Sequence, residues 1–223
     1  MPRPKNLQHD AASLFDLDHT LLKVNSSFSF GKFLYRRGLL GPAQLFHLGF
    51  VYALHTLGFF SITSVHKIVF KNLFCGRPSS FFEKEVHLFL EENFDEMLNE
   101  PVIERLKKAQ ANNHFVAILS SSPEFLVKAM ANRLGVSHFD ASVYAVDEKM
   151  HFLRIDRLVQ GKDKALWTAA AAQNQSITMS NIAVYSDSIL DLPFLQSGGI
   201  RIAVNPDSKL RKLCRLHKWE IIS

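Results

Sequence analysis

Four short apolar runs, each ending in polar residues, set the fold expected for this chain. They lie in AASLFDLDHTLL (11–22), HFVAILSSS (114–122), NIAVYSDS (181–188) and IRIAVN (200–205). Because several consecutive positions are apolar, rather than every second one, the runs predict strands buried on both faces, as in a parallel sheet.

Between these strands the apolar residues recur at helical spacing. In EPVIERLKKAQANN (100–113) they are Val102, Ile103, Leu106 and Ala109. PEFLVKAMANRLG starts with proline and ends with glycine, and KDKALWTAAAAQNQ is rich in alanine, which favours helix. Alternating strands and helices predict an α/β fold, a doubly wound and mostly parallel sheet whose ligands bind at the carboxyl ends of the strands.

The segment 25–99 has a different pattern, helical and rich in phenylalanine. It predicts a helical cap inserted into a core domain formed by 1–24 and 100–223. No Lys, Arg, Asp or Glu occurs between Arg37 and Lys67, a gap that contains LFHLGFVYALHTLGFF. Three interpretations stay open for it: a pair of buried cap helices, an interfacial contact with a membrane, or a membrane span.

Composition restricts the class of protein only broadly. The chain has 223 residues, 47% of them hydrophobic and 21% charged, which is typical of a soluble globular protein. Its net charge of +5 favours anionic ligands but does not indicate nucleic acid. The two cysteines are far apart and predict free thiols. Because MPRPKNLQHDAA is polar where a signal peptide needs an apolar stretch, we expect a cytoplasmic protein.

Polar side chains cluster at the predicted strand ends and at one helix start. They are Asp16, Asp18, Ser120, Ser121, Ser122, Lys162, Asp187 and Asp191. Taken singly, each fits a plain role, such as a solvated loop, a helix cap or a surface lysine. Taken together, converging carboxylates suit Mg²⁺, while hydroxyls, a helix N-terminus and a lysine suit a phosphate. These are the groups that phosphoryl transfer requires.

Four motifs in this order resemble those of the haloacid dehalogenase superfamily of phosphatases. DLDHT matches the first, AILSSS the second, GKDKAL the third and YSDSILD the fourth. The resemblance covers nearly the whole chain. The helical insert after the first motif, and the tail VNPDSKLRKLCRLHKWEII, are similar to the phosphoserine-phosphatase-like branch of that superfamily.

The resemblance implies a role for each matched residue. Asp16 would be the nucleophile and a metal ligand, and Asp18 the general acid and base, with its backbone carbonyl on the metal. Ser120, Ser121 and Lys162 would hold the phosphate. Asp187 would be the second metal carboxylate, and Asp191 would support it through water or Lys162. Thr20 would secure the loop by hydrogen bonds.

Two positions depart from the family pattern. Ser186 stands where the fourth motif usually has glycine, and a serine fits there if its φ is negative. Asn25 stands nine positions after Asp16, where phosphoserine phosphatase has the glutamate that meets the amino group of its substrate. A cationic amine would lack its charged partner here, so phosphoserine is not the preferred substrate.

The sequence therefore predicts a magnesium-dependent phosphatase for a small phosphorylated metabolite, acting through an aspartyl-phosphate. Two alternatives stay open. One is a membrane-surface phosphatase for a lipid phosphate, phosphatidylglycerophosphate-like, with peripheral contact through the cap. The other is a non-catalytic interaction protein that keeps the fold. No nucleic-acid partner is expected, and the oligomeric state is left open.

Overall fold

The computed structural model describes residues 9–56 and 59–223. The first eight residues, which entered the predictions of the compartment and of the core domain, lie outside the described part. So do residues 57 and 58 of the uncharged stretch. Every structural statement below refers to the described residues.

A seven-stranded sheet forms the centre of the molecule, in the order β4-β3-β2-β1-β5-β6-β7. Its strands are β1 Ala12–Phe15, β2 Phe115–Pro123, β3 His138–Val146, β4 Phe152–Arg157, β5 Ile182–Ser186, β6 Ile200–Val204 and β7 Glu220–Ile222. All neighbours pair in parallel except β3 and β4. The prediction of a doubly wound, mostly parallel sheet is confirmed, and its four predicted strands are β1, β2, β5 and β6.

In chain order, the α-helices of the described residues are α1 Ser26–Arg36, α2 Pro42–Thr56, α3 Ile62–Val69, α4 Ser79–Met97, α5 Glu100–Ala111, α6 Glu124–Arg133, α7 Gly161–Gln175, α8 Leu192–Gln196 and α9 Ser208–His217. A π-helical turn, Phe70–Phe74, follows α3. The three helices predicted between strands are α5, α6 and α7. In α5 the four apolar residues of the predicted stripe are all buried.

Helices α1 to α4 fill the segment predicted as an insert. The chain enters and leaves it side by side: Leu22 forms an antiparallel bridge with Leu98, and the Lys23 N–H donates to the Met97 carbonyl at 2.8 Å. This adjacency at the ends of the segment is what an insertion requires. The domain boundaries themselves stay a prediction.

Aromatic side chains join the helical segment to the sheet domain. Phe74 and Phe82 lie with ring centroids 4.9 Å apart, and both contact Phe125 of α6 and Phe152 of β4. These rings are buried or nearly so. Phe74 and Phe82 therefore pack the helical segment against the sheet domain.

The uncharged stretch contributes α2 and the start of α3. Within the described residues, no helix combines the length and the apolar character that crossing a bilayer demands. Both cysteines are free, as predicted; Cys214 is buried and Cys75 exposed.

Candidate active site

Asp16 is the first residue after β1 and lies at the carboxyl end of the sheet. Its backbone N–H donates to the Tyr185 carbonyl of β5 at 2.9 Å, which continues the strand pairing into the loop. The side chain is only 6% exposed. Thr20 donates a long hydrogen bond of 3.4 Å to Asp16 Oδ2, so the loop residue predicted to secure this turn does contact it.

Lys164 is the buried lysine that contacts Asp16. Its Nζ lies 2.6 Å from Asp16 Oδ1 and 2.6 Å from Asp191 Oδ2. The prediction that Lys162 supplies this charge is wrong, because the Lys162 side chain is exposed. Helix α7 already begins at Gly161, so Lys162 lies on its first turn facing solvent, while Lys164 shares the buried face with Thr168.

Two features fix the start of α7 against the loop that carries Asp191. Gln160 and Asp163 form a reciprocal capping box at its N-terminus. Gly161 has no room for a side chain: a Cβ there would lie 2.5 Å from the Leu190 carbonyl oxygen. Because helix and loop approach this closely, the Lys164 ammonium reaches Asp191, whose Oδ2 also accepts from Ser186 Oγ at 2.9 Å. Ser186, the departure from the family pattern, thus contributes a hydrogen bond.

Asp18 faces the helical segment. Its Oδ1 accepts from the Ser26 N–H, at the first residue of α1, at 2.6 Å. Its Oδ2 accepts from Ser122 Oγ at 2.7 Å, and Ser122 Oγ is also 2.9 Å from Ser27 Oγ. A serine hydroxyl can turn and accept instead, so this pair suits either protonation state of Asp18. The sequence placed Ser122 in the serine cluster at the end of β2, with a helix cap as its plain role, and predicted no contact with Asp18.

Each of the other two serines of the second motif forms a hydrogen bond with a neighbouring residue. Ser120 is fully buried, and its Oγ accepts from the Ser122 N–H at 3.1 Å, which leaves its hydroxyl proton for another acceptor. The Ser121 carbonyl accepts from Ser142 Oγ at 2.7 Å. These contacts fix the end of β2 beside Asp18.

Asp187 directly follows β5, and Asp207 holds its loop. The Asp207 N–H donates to the Asp187 carbonyl at 3.0 Å, and Asp207 Oδ2 accepts from the Ile189 N–H at 2.7 Å. The other oxygen of Asp207 caps α9. Sequence reasoning treated this tail only as a family resemblance. The signal that it missed was an Asp in N-cap position directly before a helical pattern.

The acidic groups at this edge influence each other strongly. Burial and the nearby Asp191 and Asp18 raise the pKa of Asp16 to about 7, although Lys164 opposes the shift. Burial, Asp16 and Asp191 raise the pKa of Asp187 to about 8. Burial opposes the charge on Lys164, yet Asp16 and Asp191 outweigh it and raise the pKa of the ammonium.

The interactions among these carboxylates indicate whether Mg²⁺ could bind here. The Asp16 carboxylate lies close enough to Asp187 to raise its pKa, and a divalent cation between oxygen ligands would relieve that repulsion. Asp191 is already engaged by Lys164 and Ser186. In the described ranges, no group of three or more His, Cys, Asp or Glu side chains could hold a metal. The expected ligand set has only two carboxylates, Asp16 and Asp187, with the Asp18 carbonyl, so it does not require a group of that size.

The comparison with protein families decides the class. The model of the haloacid dehalogenase-like hydrolases matches residues 13–196, most of the chain and every site residue above except Asp207. The chain belongs to this family. The prediction of an enzyme of the haloacid dehalogenase type is thereby confirmed.

Individual relatives of this hydrolase agree with the family. A Mycobacterium tuberculosis protein named phosphoserine phosphatase is 27% identical over 222 residues, which cover 95% of this chain and 70% of that protein. A Bordetella pertussis protein of unknown function has the same fold, with a TM-score of 0.85, 21% identity and coverage of 96% and 99%. A phosphoserine phosphatase structure, a phospho-aspartyl intermediate analogue, aligns with a TM-score of 0.70, 15% identity and coverage of 96% and 93%.

Proposed function

We propose that this hydrolase is a magnesium-dependent phosphatase that acts on a phosphomonoester of a small metabolite through an aspartyl-phosphate on Asp16. The observation that carries the proposal is the buried Asp16 carboxylate with Lys164 at 2.6 Å and Asp187 nearby. The relative named phosphoserine phosphatase supports the same reaction class. The two free thiols favour a cytoplasmic location, which we propose as well.

In this mechanism Asp16 attacks phosphorus and Asp18 transfers protons. The Asp16 oxygen forms a bond to phosphorus while the bond to the alcohol oxygen breaks, and Asp18 gives its proton to that leaving oxygen. Asp18 then takes a proton from the water that cleaves the aspartyl-phosphate. Ser122 accommodates both protonation states because its hydroxyl can donate to or accept from Asp18.

Other groups balance the charge of the transferring phosphoryl group. The Lys164 ammonium replaces Lys162 in the proposed phosphate set, with Ser120 and Ser121 at the end of β2. Asp191 positions Lys164 through their 2.6 Å contact. Asp16, Asp187 and the Asp18 carbonyl would hold Mg²⁺, which would supply Lewis-acid stabilisation of the phosphoryl oxygens. The segment 25–99 forms the cap that limits access of water.

Hydrolysis of an aryl phosphate by the purified protein tests this function. We expect turnover that EDTA removes and Mg²⁺ restores. Asp16→Asn should lower kcat by about 10⁴-fold or more, because it removes the nucleophile while keeping its shape. The matched control is Asp156→Asn, an exposed aspartate on β4, which should retain activity. Equal activity of Asp16→Asn and wild type would remove Asp16 from its role, and a folded wild type without turnover on any phosphate ester would favour the non-catalytic alternative.

One observation favours the membrane-surface alternative as a second candidate. Phe46 and Phe50 of α2 are 75% and 52% exposed and stack with centroids 6.3 Å apart, and Phe59 is 74% exposed. Exposed aromatic rings on an uncharged helix can enter a lipid interface. Here the substrate would be a lipid phosphate.

Cosedimentation with anionic phosphatidylglycerol vesicles separates the two candidates. A surface enzyme should bind, and a Phe46→Ser, Phe50→Ser double variant should lose most of the bound fraction, since it removes the inserted apolar area. Absence of wild-type binding, or equal binding of the double variant, would contradict the membrane-surface candidate.

A further inference from the structure

An apolar cavity lies beside the Asp18 side chain. Its volume is about 100 Å³, and its polar end is formed by Asn25, Ser27 and Ser122. Ser122 is the residue whose hydroxyl lies 2.7 Å from Asp18 Oδ2. The cavity therefore begins one side chain away from the proposed general acid.

The walls of this cavity carry little charge. Much of its lining is aliphatic or aromatic, with Leu48 and Val65 from the helical segment and Phe125 and Tyr144 from the sheet domain. Of the described residues that line it, none is Asp, Glu, Lys or Arg. The lining also includes His66, which could pair with an anion. An ammonium entering the cavity would lose its hydration and find no carboxylate among these described residues, which is strongly unfavourable.

Gly31 leaves space in the cavity but makes helix α1 less stable than alanine would. Gly31 lies inside α1 and lines the cavity. A Cβ at this position would meet Leu48 Cδ1 at 3.9 Å, an ordinary van der Waals contact. Alanine would therefore fit and would favour the helix more than glycine does. What glycine provides here is open space beside the site.

We propose that this cavity receives the alcohol part of the substrate, and that this part is small, uncharged and apolar. The inference rests on the proposed phosphatase function, since Asp18 protonates the leaving oxygen and the alcohol must lie next to it. A dry apolar cavity of about 150 Å³ holds a benzene ring, so the present cavity of about 100 Å³ suits a smaller group, of a few carbon atoms. The substrate class is thus the phosphomonoesters of small apolar alcohols, and Gly31 determines how large that alcohol can be.

Binding of stable phosphonates tests the inference without turnover. In Mg²⁺ buffer, calorimetry should give propylphosphonate a Kd at least about tenfold lower than that of 2-aminoethylphosphonate, which has the same shape, because the ammonium finds no partner in the cavity. Gly31→Ala should raise the Kd of propylphosphonate by about tenfold, since the added methyl group occupies part of the cavity.

The matched control is Gly49→Ala on the neighbouring α2, where a Cβ meets nothing within 4 Å and which does not line the cavity. It should leave both Kd values unchanged, and both variants should melt no lower than wild type. Equal affinity for the two phosphonates, or tighter binding of the aminoethyl compound, would overturn the inference. So would a Gly31→Ala protein that binds propylphosphonate as wild type does.

Hydrolysis of propyl phosphate and O-phosphoethanolamine, measured in parallel, distinguishes the proposed substrate class from the proposed phosphatase function. Asp16-dependent turnover of both esters at equal kcat/KM would overturn the apolar substrate class and leave the proposed phosphatase function standing. Turnover of neither ester would count against the phosphatase function, while the phosphonate affinities would still decide whether the cavity binds an apolar group.

Discussion

Lys164 is the residue whose environment explains most about the site. It is 2% exposed and lies between Asp16 and Asp191, with Phe194 beneath its ammonium at 5.4 Å from the ring centroid. A charge this deeply buried persists because two carboxylates compensate it. The same contacts hold the ammonium next to Asp16, where the phosphoryl group of a substrate would bind.

Replacing Lys164 should therefore affect both stability and catalysis. Lys164→Met leaves buried carboxylates without their cation, and we expect the free energy of unfolding to fall by about 3–5 kcal/mol. Loss of the charge at the transferring group should lower kcat/KM by about 10²-fold or more. Urea denaturation and aryl phosphate hydrolysis measure the two effects.

Lys162→Met is the control, since its exposed side chain makes neither contact. It should change the free energy of unfolding by no more than about 0.5 kcal/mol and leave kcat/KM as it is. The account of Lys164 would be contradicted if Lys162→Met inactivated the protein while Lys164→Met did not.

The choice between these lysines shows where reasoning from the sequence fell short. Both occur in GKDKAL, and the prediction took the one that opens the helix. The helical face decides instead: Lys164, Thr168 and Ala172 are four residues apart and form the buried stripe of α7. The side chains one and two turns further on do not distinguish the two lysines, since Lys162 is followed by Leu166 and Ala170 at this spacing. The contact between Ser122 and Asp18 could not be predicted either, because the two residues lie 104 positions apart in the chain.

At the level of the elements, the helical segment packs on the sheet domain through α4 and the π-helical turn. Phe82 of α4 is fully buried and contacts rings from four neighbours, Phe74, Phe81, Phe125 and Phe152. Close to these rings, the Gly76 N–H donates to the Phe152 carbonyl at 2.8 Å. The apolar cavity depends on this packing, since Phe74 and Phe125 also line it.

Phe82 should consequently be one of the more costly positions to truncate. We expect Phe82→Ala to lower the free energy of unfolding by about 3–5 kcal/mol through the void left among the rings. Phe46→Ala removes the same side chain from the exposed face of α2 and should change it by no more than about 0.5 kcal/mol. Urea denaturation of both variants compares them. Similar losses for the two, or a negligible loss for Phe82→Ala, would contradict this view of the packing.

Two neighbouring elements escaped prediction because their pattern is mixed. Strands β3 and β4 form an antiparallel pair at the sheet edge, and β4 has the exposed residues Leu153, Arg154 and Asp156. An edge strand exposed on one side lacks the continuous apolar run that marked the central strands. The central strands β1, β2, β5 and β6 were predictable because they are buried on both faces.

For the whole molecule, the site is divided between two parts of the fold. The carboxyl ends of β1 and β5 and the start of α7 provide the charged groups, namely Asp16, Asp187 and Lys164. The helical segment provides the backbone N–H of Ser26 to Asp18 and much of the apolar cavity. The sheet domain thus carries the groups that would bind the phosphate of any substrate. The segment 25–99 carries the residues that would select among substrates by their alcohol group.

Charged residues at strand ends could be read from the sequence because parallel strands bring their carboxyl ends to one edge. The apolar cavity could not, because it forms only where residues from α1, α2, α3, the π-helical turn, β2, β3 and α6 meet. Gly31, a glycine inside the helical pattern of α1, is a sign of the cavity in the sequence. It could not be interpreted, because the sequence does not show that Leu48 lies next to it.

The central claim, that Asp16 carries the phosphoryl group during turnover, is tested most directly by trapping. The protein would be mixed with excess aryl phosphate and Mg²⁺, quenched in acid within milliseconds, and digested for mass spectrometry. The account predicts a phosphoryl group on the peptide that contains Asp16, absent from Asp16→Asn protein treated in the same way. Rapid turnover with no phosphoryl group on that peptide, or with the group on another residue, would contradict the account.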